Sequence, residues 1–427
     1  MTILILGSGG REHTLAHKIS QSPQCNRIFV APGNAGTAQC AKNIDIDILN
    51  FDEVAKHIKA HNIDMLIVGP EAPLVEGIKD YFDEREEFSD LKIIGPSKRG
   101  ALLEGSKERA KEFMRTHLVP TAAYQSFSKE TLEAGKAFLA SMHPPYVLKA
   151  DGLAGGKGVL ILKHLKEAQD ELENMLTNSK FGKASEKVVI EEFLNGIELS
   201  VFVLTDGKNY LTLPNAKDYK RIGEADTGLN TGGMGAVSPV PFADEAFMQK
   251  VDDKIIKPSI AGLDKEGIDF TGFLFIGLMK VGDEPFVVEY NVRMGDPETE
   301  VVIPRLKNDL LEVLSKTAEG KLQDVQLEVA SKHAATVMIV SGGYPGAYEK
   351  GKVISGLHSI ENNEEVFVCH AGTKTEHNQI ITNGGRVIAV TAFGHTFQKA
   401  LEKAYHHVDL IEFSGKYFRT DLGKDLV

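Results

Sequence analysis

The amino-terminal part of the chain alternates short apolar runs with segments of helical spacing, and few folds accept that rhythm. Ile3–Leu6, Arg27–Ala31, Met65–Val68 and Lys92–Gly95 read as buried strands, while Arg11–Gln21 and Phe51–His61 repeat their apolar residues at helical intervals. Strands apolar throughout need cover on both faces, which intervening helices supply. The expectation is an open parallel sheet, and such sheets bind ligands beyond the carboxyl ends of their strands. Three loops lie there: Gly7–Arg11, Ala31–Thr37 and Gly69–Leu74.

The first loop, GSGGRE (Gly7–Glu12), has the strand–loop–helix setting of a dinucleotide fingerprint. That fingerprint needs a third glycine for close helix packing, and Glu12 stands in its place. No acid follows near Ala31–Pro32 to hold a ribose hydroxyl. A phosphate held by the loop amides, the helix N-terminus and Arg11 fits these residues better.

Near Ser106 the pattern changes to a charged helix, Lys107–Thr116, followed by strand–helix–strand units to about Thr205. Within them VLKADGLAGGKGV (Val147–Val159) is a second glycine loop. Asp151 stands where a P-loop requires its first glycine, and Gly158 follows Lys157 where Ser or Thr belongs, so this is not a P-loop. It reads as strand, flexible loop and strand, with Lys149 and Lys157 offering point charges to phosphates. In VVIEEFLNGIELS (Val188–Ser200) the link Glu191–Leu194 can offer backbone groups to an adenine edge, and Glu198 a carboxylate to ribose. TGLNTGGMGA (Thr227–Ala236), flanked by Arg221 and Asn230, reads as a long mobile loop and candidate lid.

The segment PFVVEYNVRMGDPE (Pro285–Glu298) carries the densest chemistry. Strand side chains alternate faces, so Val288, Tyr290 and Val292 should pack inward and Glu289, Asn291 and Arg293 stand in a row opposite. A carboxylate, an amide oxygen and a guanidinium on one face suit a hard cation bridging phosphates, with a positive group for a second anion. Asp296 and Glu298 add carboxylates in the turn that follows. Downstream, Thr299–Ala318 reads as a helix stopped by Gly320. From about Lys332 the chain is β-rich, with strands at Ala335–Val340, Val366–Ala371 and Arg386–Ala392 and one helix, Thr396–Val408.

Its 427 residues allow two to three domains, and the net charge of −12 argues against a general nucleic-acid or membrane surface. Three cysteines without a C-x-x-C pair suggest a reducing compartment and no thiolate metal cage. No apolar run approaches the roughly 18 residues of a membrane span. The expected location is cytoplasmic.

Together these residues resemble the ATP-grasp ligases, and within them the phosphoribosylamine–glycine ligase family. The resemblance rests on GGREH (Gly9–His13), PGNAGTA (Pro32–Ala38), VGPEAPL (Val68–Leu74), LEGSK (Leu103–Lys107), KADGLAGGKGV, NTGGMGA, TGFLFIGLM (Thr271–Met279), GDPET (Gly295–Thr299), SGGYPG (Ser341–Gly346), HAGT (His370–Thr373) and NGGRV (Asn383–Val387). It spans nearly the whole chain, in family order, in the manner of stand-alone ligases. It implies a multidomain α/β and α+β fold. An open parallel-sheet (pre-ATP-grasp) domain would occupy 1–104, an ATP-grasp domain 105–325 with a mobile lid subdomain at about 120–190, and a β-rich domain 326–427.

The resemblance also implies a reaction: ATP, 5-phosphoribosylamine and glycine give ADP, phosphate and glycinamide ribonucleotide through a glycyl phosphate. ATP would lie among Lys111, Lys149, Glu191, Glu192, Phe193, Leu194, Glu198, Arg221 and Asn230, with Mg²⁺ or Mn²⁺ on Glu289 and Asn291. Lys149, Asp218 and Arg293 would serve the reacting groups. Gly9, Gly10, Arg11, Asn34, Gly36, Glu71, Arg293 and Asp296 would hold the other substrates. The implied partners are these small molecules, without nucleic acid or membrane, and with transient contact to the enzyme that supplies phosphoribosylamine. Where the family commonly reads QDHKR and GPN, this chain has Lys217–Arg221 (KDYKR) and Gly228-Leu229-Asn230. Gly277 stands where the wider superfamily often places an acid, which leaves the number of metals open. Two rivals share these features: another carboxylate–amine ligase, and a nucleotide-binding sensor without turnover.

Overall fold

The computed structural model describes residues 1–155, 158–360 and 363–426. The opening rhythm yields a five-stranded parallel sheet in the order Lys42–Asn43, Arg27–Pro32, Thr2–Gly7, Met65–Val68, Lys92–Ile94. The apolar residues of its central strands are buried, as doubly covered strands require. The helices Gly10–Ser20 and Glu71–Glu76 begin directly after the carboxyl ends of two of these strands.

A separate small unit follows. The strands Tyr124–Ser128, Lys187–Glu191, Tyr146–Ala150 and Val159–Leu162 form a four-stranded sheet in that order, backed by the helices Leu132–Ser141 and Leu165–Thr177. Phe127, Leu139, Leu148, Leu172, Met175 and Ile190 give it a core of its own. A second four-stranded sheet, ordered Tyr210–Thr212, Ile197–Thr205, Gly272–Val281, Glu284–Asn291, carries the acid-rich strand at its edge.

That strand departs from simple alternation. Gly277 pairs with Glu289 but Leu278 pairs with Val287, so Val288 is an extra residue in a bulge. Val287, and not the expected Val288, therefore joins Tyr290 and Val292 in the core. The strand ends at Asn291, one residue before the sequence suggested. The helix expected over Thr299–Ala318 is also interrupted. It runs Thr299–Val302, tightens through Ile303–Arg305 at Pro304, and restarts at Leu310 under the cap of Asp309, whose Oδ1 accepts from Leu311 N at 2.9 Å. Gly320 ends it with φ +67°, as expected.

The carboxy-terminal sheet is not built by carboxy-terminal residues alone. Its six strands follow the order Lys217–Asp218, Gly235–Ser238, His333–Ser341, Arg386–Gly394, Val366–His370, with Lys416–Tyr417 also on His333–Ser341. Lys217–Asp218 and the end of the glycine-rich segment thus each supply a strand to it, and Met234 and Ala236 are fully buried. The long mobile loop expected at Thr227–Ala236 is accordingly corrected. Arg221–Gly223 and Thr227–Asn230 form an exposed hairpin, and the residues after it are fixed in a sheet. Among the described residues no helix is long and apolar enough to cross a membrane.

Candidate functional site

The site begins with a buried ion triad. Glu191, at the end of its strand, meets Lys111 Nζ at 2.9 Å and Lys149 Nζ at 3.0 Å. Lys149 projects from the neighbouring antiparallel strand, and its ammonium also donates to Val288 O at 3.2 Å, a carbonyl in the bulge. Lys111 lies on the helix Lys107–Thr116 and donates to Thr121 Oγ1 at 2.8 Å and Ala122 O at 3.3 Å. Burial, reinforced by Lys149 and opposed by Glu191, lowers its ammonium to about 8. Two ammonium groups against one carboxylate leave an excess positive charge beside the acid strand. The link after Glu191 is open: Glu192 and Phe193 are exposed, Leu194 is half-buried, and Glu192 N donates to Ala123 O at 2.9 Å.

Opposite this triad stands a carboxylate group. Burial opposes ionisation of Glu289, yet Lys220, Lys149 and Lys107 hold its carboxyl below the usual range. A Cβ at Gly277 would approach Glu289 Cγ to 3.2 Å, so the missing acid of that position has little room here. Lys220 Nζ reaches Glu198 Oε2 at 3.3 Å and feels Asp218, Glu289 and Glu298 as well. Burial, then the nearby Glu298, Glu198 and Glu289, push Asp218 up to about 8 against the pull of Lys220. Glu298 is 3% exposed, raised chiefly by burial, and accepts from Ser200 Oγ at 3.2 Å. The neighbours Lys217 and Tyr219 turn away, and both bind Asp425 near the carboxyl end. These departures from the family pattern anchor the last residues, while Asp218 and Lys220 face the acids.

Arg293 joins this region to the amino-terminal sheet. It donates to Glu104 Oε1 at 2.7 Å, lies 3.6 Å from Glu71 Oε2, and reaches Asn291 Oδ1 at 3.4 Å. Glu104 also accepts from Val292 N at 2.8 Å. Glu104 and Lys107 were not identified from sequence. Within LEGSK their only signal was membership of the motif, since each reads alone as an ordinary helix charge.

The amino-terminal loops are closed upon themselves. Arg11 pairs with Glu12 at 2.6 Å and donates to Met294 O at 3.1 Å. Gly9 N donates to Glu12 Oε2 at 2.6 Å, and Arg11 N to Asp296 Oδ2 at 3.2 Å. A Cβ at Gly9 would stand 2.7 Å from Asp296 Oδ2, and the next residue, Gly10, packs as closely against Glu300. Asn34 binds Ser8 O and His370 O through Nδ2, at 2.9 and 2.8 Å, and caps Gly36 N through Oδ1 at 2.8 Å. The donors expected to meet a phosphate, Arg11 above all, are thus engaged within the protein. Asp296 bridges domains: Arg386 Nη2 lies 2.9 Å from its Oδ1, and Arg386 Nη1 donates to Asp296 O and Gly232 O, each at 2.6 Å.

Glycine loops border both ends of this arrangement. Asp151 caps the helix bearing Lys111 by accepting from Ser106 Oγ at 2.9 Å and Glu108 N at 2.8 Å. Gly156 and Lys157, the proposed phosphate lysine of that loop, lie outside the described residues. Arg221 faces Asn230 across the exposed hairpin and donates to Gly228 O at 2.9 Å. The structure therefore gathers Lys111, Lys149, Glu191, Glu198, Asp218, Glu289, Asn291 and Arg293, and places Arg221 and Asn230 on a projecting edge.

Comparisons with known proteins cover almost the whole chain. Family models described as the N, ATP-grasp (A) and C domains of phosphoribosylglycinamide synthetase match residues 1–104, 105–299 and 334–425. The chain is 45% identical to phosphoribosylamine–glycine ligase of Vibrio cholerae, covering 99% of this chain and 98% of that protein. It is 44% identical to a bifunctional purine biosynthetic protein of Pichia angusta, of which it spans 53% while 99% of this chain is covered. A crystal structure of phosphoribosylamine–glycine ligase from Thermotoga maritima superposes with TM-score 0.85 at 34% identity, covering 99% of this chain and 100% of that one. A biotin carboxylase–ATP complex from Campylobacter jejuni shares the fold, with TM-score 0.73 at 16% identity over 99% of this chain and 96% of that one.

Proposed function

We propose, from the premise that this chain belongs to the phosphoribosylglycinamide synthetase family, a division of labour among its residues. The activity is ATP-dependent ligation of glycine to 5-phosphoribosylamine, the glycinamide ribonucleotide-forming step of purine biosynthesis. The observation that carries the assignment of roles is the buried Lys111–Glu191–Lys149 triad, whose Lys149 also binds the Val288 carbonyl beside Glu289.

Glycine's carboxylate must approach the γ-phosphate, an anion meeting a polyanion. At about 4 Å and an effective dielectric near 20, each unit of repulsion is worth about 4 kcal/mol, so charge neutralisation dominates the first step. Lys111 and Lys149 bind the phosphates, Glu192–Leu194 border the adenine, and Glu198 meets the ribose. Glu289 and Asn291 offer an ionised carboxylate and an amide oxygen, a donor pair that fits Mg²⁺ or Mn²⁺ completed by substrate phosphates. Such a cation, when bound, offsets charge on the transferring phosphoryl group.

Attack by glycine's carboxylate on the γ-phosphorus releases ADP and forms glycyl phosphate. The ribosylamine nitrogen then attacks its carbonyl carbon and phosphate leaves. Arg293, held by Glu104 and Glu71 between the acid strand and the amino-terminal sheet, stands where these two halves of the reaction meet. Glu71 orients ribosylamine hydroxyls, while Gly9–Arg11, Asn34 and Gly36 shape the wall behind. Their internal hydrogen bonds make that wall a preformed scaffold and leave the phosphate to lighter contacts than Arg11 alone would give. A cytoplasmic location and transient delivery of phosphoribosylamine by the enzyme that makes it complete the reading.

ADP release with and without glycine, using freshly made phosphoribosylamine, tests the reaction directly. Glu289→Gln should keep the fold and lower turnover about 100-fold or more. Wild-type turnover in that variant at any Mg²⁺ concentration would remove Glu289 from the metal site.

A further inference from the structure

The carboxy-terminal sheet ends in an edge strand, Val366–His370, whose last residue meets the amino-terminal domain. The outer side of an edge strand carries backbone groups that need partners. At His370 two side chains of the other domain supply them. Its N–H donates to His13 Nδ1 at 2.9 Å, and its carbonyl accepts from Asn34 Nδ2 at 2.8 Å. His13, Asn34 and His370 are all buried, so water cannot readily replace either bond. One residue earlier, Cys369 Sγ donates to Gly10 O at 3.0 Å. His17 stacks on Phe367 with ring centroids 4.6 Å apart, which continues the contact along the helix Gly10–Ser20.

These bonds do more than join two domains. Asn34 Oδ1 builds the turn of its own loop, accepting from Gly36 N at 2.8 Å and Thr37 N at 2.9 Å. Its Nδ2 also donates to Ser8 O at 2.9 Å, in the first loop. One amide thus sets both loops of the ribosylamine wall against one carbonyl of the carboxy-terminal domain. The packing leaves no slack: a Cβ at Gly36 would stand 2.3 Å from His13 Cε1 and 2.7 Å from His370 Cβ. Burial, reinforced by His370 and His17, holds the His13 imidazole well below its ordinary value. Its Nδ1 therefore stays free of a proton and able to accept. Thr373 Oγ1 meets His370 Nδ1 at 3.1 Å and steadies the other ring.

We propose that His13 is a positioning residue for the ribosylamine: by accepting from His370 N it fixes the carbonyl on which Asn34 aligns the loops Gly7–Arg11 and Asn34–Thr37. This rests on the assignment of those loops to the ribosylamine. A loosened wall has to be ordered by the substrate it binds, and that cost is paid in affinity. Phosphoryl transfer is served by other elements, those of Lys111, Lys149 and Glu289, and does not share the loss. His13 therefore governs KM for one substrate and leaves turnover alone.

His13→Asn and His13→Gln separate the position of the acceptor from polarity alone. Both introduce a neutral amide, but the Asn oxygen hangs from Cγ, as Nδ1 does, and the Gln oxygen lies one bond farther out. ADP release is followed with freshly made phosphoribosylamine at saturating ATP, Mg²⁺ and glycine. His13→Gln should raise KM for the ribosylamine about ten-fold, the scale of one buried donor left unpaired, with kcat and KM for glycine unchanged. His13→Asn should restore KM to near the wild-type value. Both variants should melt below the wild type by similar amounts, so a difference in stability cannot produce the split. Equal ribosylamine KM in the two variants, or a loss confined to kcat, overturns the proposal. Where neither variant folds, Thr373→Val, which removes only the hydroxyl on His370 Nδ1, should raise KM about three-fold. An unchanged KM there overturns the proposal as well. Asn34→Ala tests the premise. Wild-type ribosylamine KM in Asn34→Ala means that these loops are not the wall, whereas raised KM there beside wild-type KM in His13→Gln overturns the positioning role alone.

Discussion

Lys111 binds phosphate in this scheme only while it carries a proton, and burial brings its ammonium to about 8. The folded enzyme holds that proton less tightly than an exposed lysine would, so the charge is present below about pH 8 and lost above it. Affinity of the free enzyme for an ATP analogue should therefore weaken as pH rises through about 8, measured by calorimetry. Lys111→Met should bind more weakly at neutral pH and lose that limb, and a wild-type affinity flat across the range would exclude the phosphate role. At this scale the sequence was legible where chemistry and periodicity coincided. Glu289 and Asn291 share a face by alternation, and Lys149 ends a strand beside a glycine loop. Glu104 and Lys107 were not legible, because their roles depend on Arg293 and Glu289, which reach them only through the tertiary fold. Arg11 was legible as a cation but not as one already matched by Glu12.

Elements were read well where one periodicity held throughout. The parallel strands and the charged helix Lys107–Thr116 stand where the sequence placed them. The errors share a cause: local sequence cannot announce its partner. The bulge at Val288 depends on register against Gly277, and the segment after Asn230 became a strand because His333–Ser341 presents an edge to it. Gly233 shows how firmly this half is held: φ is +117°, and a Cβ there would run into Pro297. The two halves should behave differently. Amide exchange in Thr227–Asn230 should be fast in the free enzyme and slow when ATP analogue and Mg²⁺ bind. Gly235–Ser238 should be protected in both states. Equal protection of the two halves without nucleotide would remove the hairpin as the moving part.

Across the whole molecule, Asp296 and Arg386 tie three regions at one point: the loop at Arg11, the acid strand's turn and the carboxy-terminal sheet. Burial alone would raise Asp296, but Arg386 and Arg11 hold its carboxyl below the usual range. Arg386→Ala would strip the larger of these partners from a buried carboxylate, a change that costs about 3–5 kcal/mol. Thermal melting should show that loss, and an unchanged Tm would mean that the three regions are joined by other contacts. The three-domain architecture was legible in the sequence but this knot was not, since its members are far apart in the chain. The same separation bears on ancestry. Because Gly235–Ser238 completes the sheet of His333–Ser341, a recombination that exchanged the last domain alone would graft one lineage's strand onto another's edge. The two stretches, remote in the gene, are bound to be inherited as one.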